Sequence, residues 1–194
     1  MDPRTIRHLL LLCALAAGAA GATHDERGAL IDEAREAVRE LQQQVGGELR
    51  REYELSGTLR SVMVCKYLAP EVSSTVSRRY GAQVKRVSLR VRNPALGTAD
   101  AWEQNVLLEF DRRLAHGEKA DHIDFAEVVK EPQGRYFRYM KAIPVAELCM
   151  NCHGAKETMT AATQAQLAAE YPYDKATGYQ LGDVRGAVSF KKPL

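Results

Sequence analysis

Cys149-Met150-Asn151-Cys152-His153 places two thiols three residues apart and an imidazole directly after the second. On a helical turn, positions i and i+3 share one face. Both sulfurs can then reach one flat ligand while the histidine addresses its centre. This is the spacing of covalent c-type heme attachment, with Cys149 and Cys152 forming thioethers and His153 the proximal iron ligand. A structural zinc site would need a second C-x-x-C or an H-x₃₋₅-H pair, and the chain carries neither. A thioredoxin-like pair would follow the first strand of a βαβ unit and would not be followed by histidine. One covalent heme c is therefore the expected cofactor.

The N-terminus has the form of an export signal. Arg4, Arg7 and His8 precede an apolar run from Leu9 to Ala22, and Ala20-Gly21-Ala22 offers a small-residue cleavage site. The run is too short to span a bilayer's hydrocarbon core. Residues 1–22 are expected to be removed, leaving a mature chain that begins near Thr23 in a periplasmic or otherwise exported compartment. Cys13 falls inside the discarded segment, and the Leu12 before it does not suit lipoprotein processing. Heme c and export agree, since attachment takes place after the chain has crossed the membrane. The mature chain keeps Cys65, Cys149 and Cys152. Two thioethers leave Cys65 over, to be buried, paired between molecules or used as a ligand.

The 194 residues carry a formal net charge of +2. No basic stripe points to nucleic acid and no polybasic patch to a membrane surface. The chain is not expected to be an integral membrane protein. The expected partner is a protein, for redox or signalling purposes.

The hydrophobic pattern predicts an α+β fold, a PAS-like antiparallel sheet flanked by helices, with an antiparallel hairpin and helices against one side. Residues 23–57 form an N-terminal helical arm, with apolar Leu30, Ile31, Ala34, Val38, Leu41, Val45 and Leu49 at three- and four-residue steps. Thr23 to Glu26 fits a capping box, Gly46-Gly47 is the expected kink, and the helix is a candidate for homodimer formation. Residues 58–194 form the heme domain. A helix from Thr58 is expected to stop at Ala69-Pro70 and a further one to end at Gly81. Gln83–Arg92 alternates as a half-exposed strand, with Arg86, Ser88, Arg90 and Arg92 on its solvent side. A capped helix through Trp102 and Phe110 follows. Then come a hairpin of 123–130 with 135–142, the motif helix, a helix over 161–170 and a strand over 184–190.

Several stretches resemble the heme-c-containing PAS-like family of exported single-domain proteins and sensor ectodomains, long catalogued as a domain of unknown function. They are Val64-Cys65-Lys66, Val87 to Pro94, Ala101-Trp102-Glu103, Cys149 to Gly154, and a tail of Ala176-Thr177-Gly178-Tyr179-Gln180 followed by Gly182 to Ser189. Ala95-Leu96-Gly97-Thr98 replaces a further Asn and Pro that the family tends to carry. The resemblance implies a PAS-like sheet holding one heme, and a cysteine thiolate from the early helical region opposite the motif histidine. At the matching position that cysteine is Cys65.

Read from the residues alone, the sixth ligand is open among Cys65, Met63, Met140, Met150, Met159, His24, His116 and His122. His116 and His122 sit in solvated, charged surroundings, and the methionines suit core packing. Thiolate opposite histidine favours ferric iron and a low potential. That ligation fits a redox or ligand sensor, with a soluble electron-transfer cytochrome as the alternative. A peroxidase would need an open distal site and an acid–base residue beside it, so no enzymatic activity is expected.

Overall fold

Apolar residues returning every three or four positions fix the first element. In α1 (Pro3–Met63), Ala34, Ala37, Val38, Leu41 and Val45 form a stripe that is buried on the protein's own sheet. The fold is that of a computed structural model, which describes the backbone from residue 3 and side chains from residue 25. The signal segment, Cys13, the Thr23 cap and His24 lie outside the residues whose side chains are described.

Gly46-Gly47 does not break α1. Two helical glycines cost roughly 1 kcal/mol each, and the buried stripe on either side outweighs that. The break falls at Gly57 (φ 72°, ψ −165°), a conformation open only to glycine. The second correction concerns Ala69-Pro70. The chain stays helical through it, with both Leu68 and Ala69 right-handed. A π-helical turn, Val64–Leu68, absorbs the proline: the Ala69 N–H reaches back five residues to the Val64 carbonyl. The wider turn relieves the clash that a proline ring makes with the preceding turn of an α-helix. α2 (Ala69–Tyr80) then ends at Gly81 in the left-handed region, as expected.

The sheet is antiparallel in the order β1-β4-β3-β2, from β1 (Gln83–Val87), β2 (Asp124–Glu131), β3 (Gly134–Pro144) and β4 (Val184–Pro193). Helices cover both faces, not one. Phe137, Tyr139, Val188 and Phe190 meet α1 and α2, while Met140, Ala142 and Ala187 meet Val106, Leu107 and Phe110 of α4 (Ala101–Ala115). Consecutive residues of a strand point to opposite faces, and β3 and β4 are apolar on both, so each face must be covered. Asp100 and Glu103 close α4 with a capping box, and a short α3 (Pro94–Gly97) precedes it. The hairpin, α5 (Glu147–His153) and α6 (Ala161–Glu170) stand where the sequence put them.

The strand expected over 83–92 stops at Val87. Ser88 accepts from the Arg90 N–H (3.1 Å) and donates to the Arg185 carbonyl (2.9 Å), turning the chain out of the sheet. Arg185 itself is the extra residue of a β-bulge: Ile143 faces Gly186 and Pro144 faces Val184, leaving Arg185 without a partner on β3. Gly186 follows because a Cβ there would lie 2.3 Å from the Val87 carbonyl oxygen. Among the described residues no helix is long and apolar enough to cross a membrane.

Candidate functional site

α5 begins directly after β3 ends at Pro144, and the chain's tail clasps it. Val145 donates to the Asp183 carbonyl and accepts from the Gly182 N–H, each at 2.9 Å. At the far end, the last carbonyls of the helix have no partner within it. The tail supplies them: the Tyr179 N–H donates to His153 (2.9 Å) and the Gly178 N–H to Gly154 (2.7 Å). Gly178 makes this approach with φ 73°. The tail pattern of the resemblance is thus the segment that holds the motif helix.

The His153 ring is fixed by the same segment. Nδ1–H donates to the Ala176 carbonyl at 2.7 Å, which leaves the lone pair on Nε2. Tyr179 stands edge-on to the ring, with centroids 6.2 Å apart and planes at 88°. Burial, followed by the guanidiniums of Arg185 and Arg92, holds the imidazole's pKa well below its usual value. The ring is therefore a neutral donor at neutral pH. The Arg185 Nε lies against the ring, 3.1 Å from Nδ1 and 3.4 Å from Nε2.

Cys149 and Cys152 are half-buried and are not joined to each other. Cys149 borders a cluster of Val145, Ala176 and Tyr179; Cys152 borders Val62, Met159, Leu167 and Tyr171. Burial pushes the Cys152 thiol up to about 11, opposed by Arg92 and assisted by Cys65 and Cys149.

Cys65 is brought to this place by the π-turn. Val62, one turn before it, packs with Leu167, Tyr171 and Cys152, and Lys66 beside it reaches Glu170, so the two sulfur-bearing segments meet although far apart in sequence. The turn is held by Lys66, which pairs with Glu170 at the end of α6 and donates to the Glu170 carbonyl at 3.2 Å. Arg86 Nη2 lies 3.5 Å from the Cys65 carbonyl. Cys65 is half-buried, not sealed in a core. Arg60 and Lys66, the cations nearest to it in sequence, are engaged elsewhere, Arg60 with Glu52 at 3.6 Å and Lys66 with Glu170.

Of the other sixth-ligand candidates, His116 is exposed and donates Nδ1–H to the Arg112 carbonyl (2.7 Å), and His122 is exposed beside Asp121. Met140 is core between the sheet and α4, and the Met63 sulfur accepts from Gln166 (3.6 Å). Met150 borders the Cys149 cluster, and Met159 packs in the cluster with Cys152. Of these residues, Cys65, Met150 and Met159 lie at the motif. No group of three or more His, Cys, Asp or Glu side chains arranged as a bare metal site occurs among the described residues.

Four arginines went unrecognised in the sequence as site residues. Arg92 pairs with Asp174 at 2.9 Å and donates to the carbonyls of Cys152 and Ala176. Arg90 lies over the Tyr179 ring at 4.1 Å. Arg185 and Arg86 complete the group. Alternation made Arg86, Arg90 and Arg92 look like a solvent face; Arg86 reaches the Cys65 carbonyl from within β1, and the end of β1 at Val87 turns Arg90 and Arg92 toward the motif. The Arg185-Gly186 pair in the tail was the signal available, since a glycine inside a strand marks a bulge or a close backbone approach.

An α+β scaffold with a C-x-x-C-H helix seated against an antiparallel sheet is the class these features define. The chain belongs to the Tll0287-like family, whose model matches residues 20–193. Among solved structures it is similar to the cyanobacterial heme-protein Tll0287, at 26% identity and a TM-score of 0.60, over 87% of this chain and 95% of that one. No curated protein matches.

Proposed function

We propose that this chain is an exported monoheme c-type protein in which Cys149 and Cys152 carry the heme, His153 ligates its iron and Cys65 provides the opposite ligand. The observation that carries this reading is the seating of the Cys65 turn, through Val62 and Lys66, on the cluster and helix that hold Cys152 in place, beside a His153 oriented through Nδ1. The donor set fits the group: two thiols one helical turn apart, a neutral imidazole oriented through Nδ1, and a third, soft sulfur donor. Family membership and the similarity to a solved heme-protein support it. When bound, the heme supplies one-electron chemistry at iron. The chain's own residues orient the imidazole, present the sulfurs and surround them with positive charge.

The role that fits best is redox or ligand sensing on a PAS-like sheet, without enzymatic turnover, with the signal passed to another protein. Reduction weakens an iron–thiolate bond, and Cys65 sits on a π-turn, an element frequent at functional sites. Soluble electron transfer is the second reading, favoured by the half-exposed Cys149 and Cys152, which would leave a heme edge near solvent. Fast electron self-exchange with unchanged ligation would support transfer, and a low potential with ligand change on reduction would support sensing.

The test is expression with heme-maturation machinery. We expect the mass of the mature chain from near Thr23 plus one porphyrin, and a low-spin ferric spectrum with thiolate character that Cys65→Ala abolishes. An unchanged low-spin spectrum in Cys65→Ala would remove Cys65 from the ligand set and turn attention to Met150 and Met159.

A further inference from the structure

Arg86, Arg90, Arg92 and Arg185 gather four positive charges around the motif, and among the described residues only Asp174 answers them with an ion pair, through Arg92. Arg185 is largely buried. Its Nη1 donates to Ser88 Oγ (2.9 Å) and to the Arg90 carbonyl (3.3 Å), and its Nε to His153. None of these partners carries negative charge. Arg86 has one long bond, to the Cys65 carbonyl, and no carboxylate within ion-pair distance. A partly buried guanidinium without a counter-charge is costly. Two of them at one site indicate that an anionic group belongs there.

We propose that Arg86 and Arg185 bind the two carboxylates that a porphyrin carries on its edge. This rests on the heme reading above and adds residues which the C-x-x-C-H motif does not contain. The chemistry is specific. Guanidinium offers paired N–H donors in the geometry of a carboxylate, and such charge-assisted bonds are about twice as strong as neutral ones. Two carboxylates reduce the net charge of the arginine–aspartate group from +3 to +1. Arg185 Nη1 is anchored to Ser88 and the Arg90 carbonyl, while its Nε rests against the His153 ring with no charged partner. The β-bulge that leaves Arg185 unpaired, and the end of β1 just after Arg86, put both side chains at the same end of the sheet.

The experiment uses the heme-loaded protein and the variants Arg86→Gln and Arg185→Gln, with Arg135→Gln in the exposed hairpin as control. The readouts are added porphyrin mass, the carboxylate bands in the infrared difference spectrum, and the midpoint potential as a function of pH. We expect each site variant to keep the porphyrin mass, to shift a carboxylate band, to lower the midpoint potential and to move its pH-dependent segment to higher pH. Arg→Lys at the same position should restore most of the shift. Bands and potentials equal to the Arg135→Gln control, with heme attached, would overturn this assignment and leave the heme reading intact. A parent protein without porphyrin mass would overturn both. If Arg185→Gln fails to mature, Arg185→Lys decides: maturation with near-parent bands supports the charge role, and failure there too assigns Arg185 to the fold alone.

Discussion

His153 takes its orientation from one carbonyl, that of Ala176, and Ala176 is in turn held by two neighbours. Its N–H donates to Asp174 (2.7 Å) and its carbonyl also accepts from Arg92 (3.2 Å). Arg92 and Asp174 are both nearly buried, with side-chain exposures of 10% and 12%. Removing one partner of such a pair leaves the other charge without compensation, at roughly 3–5 kcal/mol. Arg92→Leu is therefore expected to lower unfolding free energy by about this amount in chemical denaturation. In protein matured with heme, on the reading proposed above, it should also broaden the ligand-sensitive bands, because the imidazole's anchor is loosened. An unaltered denaturation midpoint would show that the pair is dispensable.

Two irregular elements, not regular ones, deliver the side chains to the site. The π-turn Val64–Leu68 carries Cys65 where Lys66 ties the chain to the end of α6, and the bulge at Arg185 re-aims a guanidinium that a regular strand would have sent elsewhere. The bulge depends on close passage of β1 and β4 at Gly186. Gly186→Ala places a methyl group against the Val87 carbonyl. Backbone cannot yield as a flexible side chain does, so a loss of at least about 1–3 kcal/mol is expected, measurable as a lowered thermal midpoint. The same substitution at Gly47, which has open space around it and lies in a helix, should be neutral or slightly stabilising. The comparison separates a steric requirement from a general intolerance of added methyl groups.

Across the whole molecule, a charged network ties α4 to all four strands. Glu103, fully buried, meets Lys85 of β1 at 3.0 Å. Arg138 of β3 reaches Asp100 (2.6 Å), Glu103 (3.4 Å) and Glu131 of β2 (3.3 Å), and lies 4.2 Å over the Trp102 ring. Lys191 of β4 also pairs with Glu131. Glu103 Oε1 and Arg138 Nε have no hydrogen-bond partner, so the network works near its limit. Arg138→Met should cost on the order of 3–5 kcal/mol, since Glu103 stays buried with only Lys85 to answer it. The acid limb is the second readout. Burial raises the Asp100 pKa, but the Arg138 guanidinium and the Glu103 N–H outweigh it, and the carboxyl ends below its usual value. A depressed folded pKa gives stability that is complete above about pH 4 and lost as pH falls through the folded value. Asp100→Asn should flatten the fall of the thermal midpoint below about pH 4; a slope equal to the parent's would exclude Asp100 as its source.

The cysteine spacing, the α+β class, the capped helix through Trp102 and Phe110, the hairpin and α6 were legible in the sequence, because each is set by neighbours within a few residues. Hydrogen bonds of a turn, a cap or a helical face do not need the rest of the chain. The helix through Pro70, the unbroken Gly46-Gly47 and the early end of β1 were not legible. In each of them, packing from distant segments outweighs local preference, and a short sequence window carries no record of it. The arginine group shows this most plainly: alternation marks Arg86, Arg90 and Arg92 as a solvated edge, yet the turn after β1 brings Arg90 and Arg92 to the motif, where Arg86 and the bulged Arg185 join them. Residue types and their spacing name the atoms able to bind; which of them meet follows from how the sheet and helices close on one another, because proximity between distant segments has no local cause.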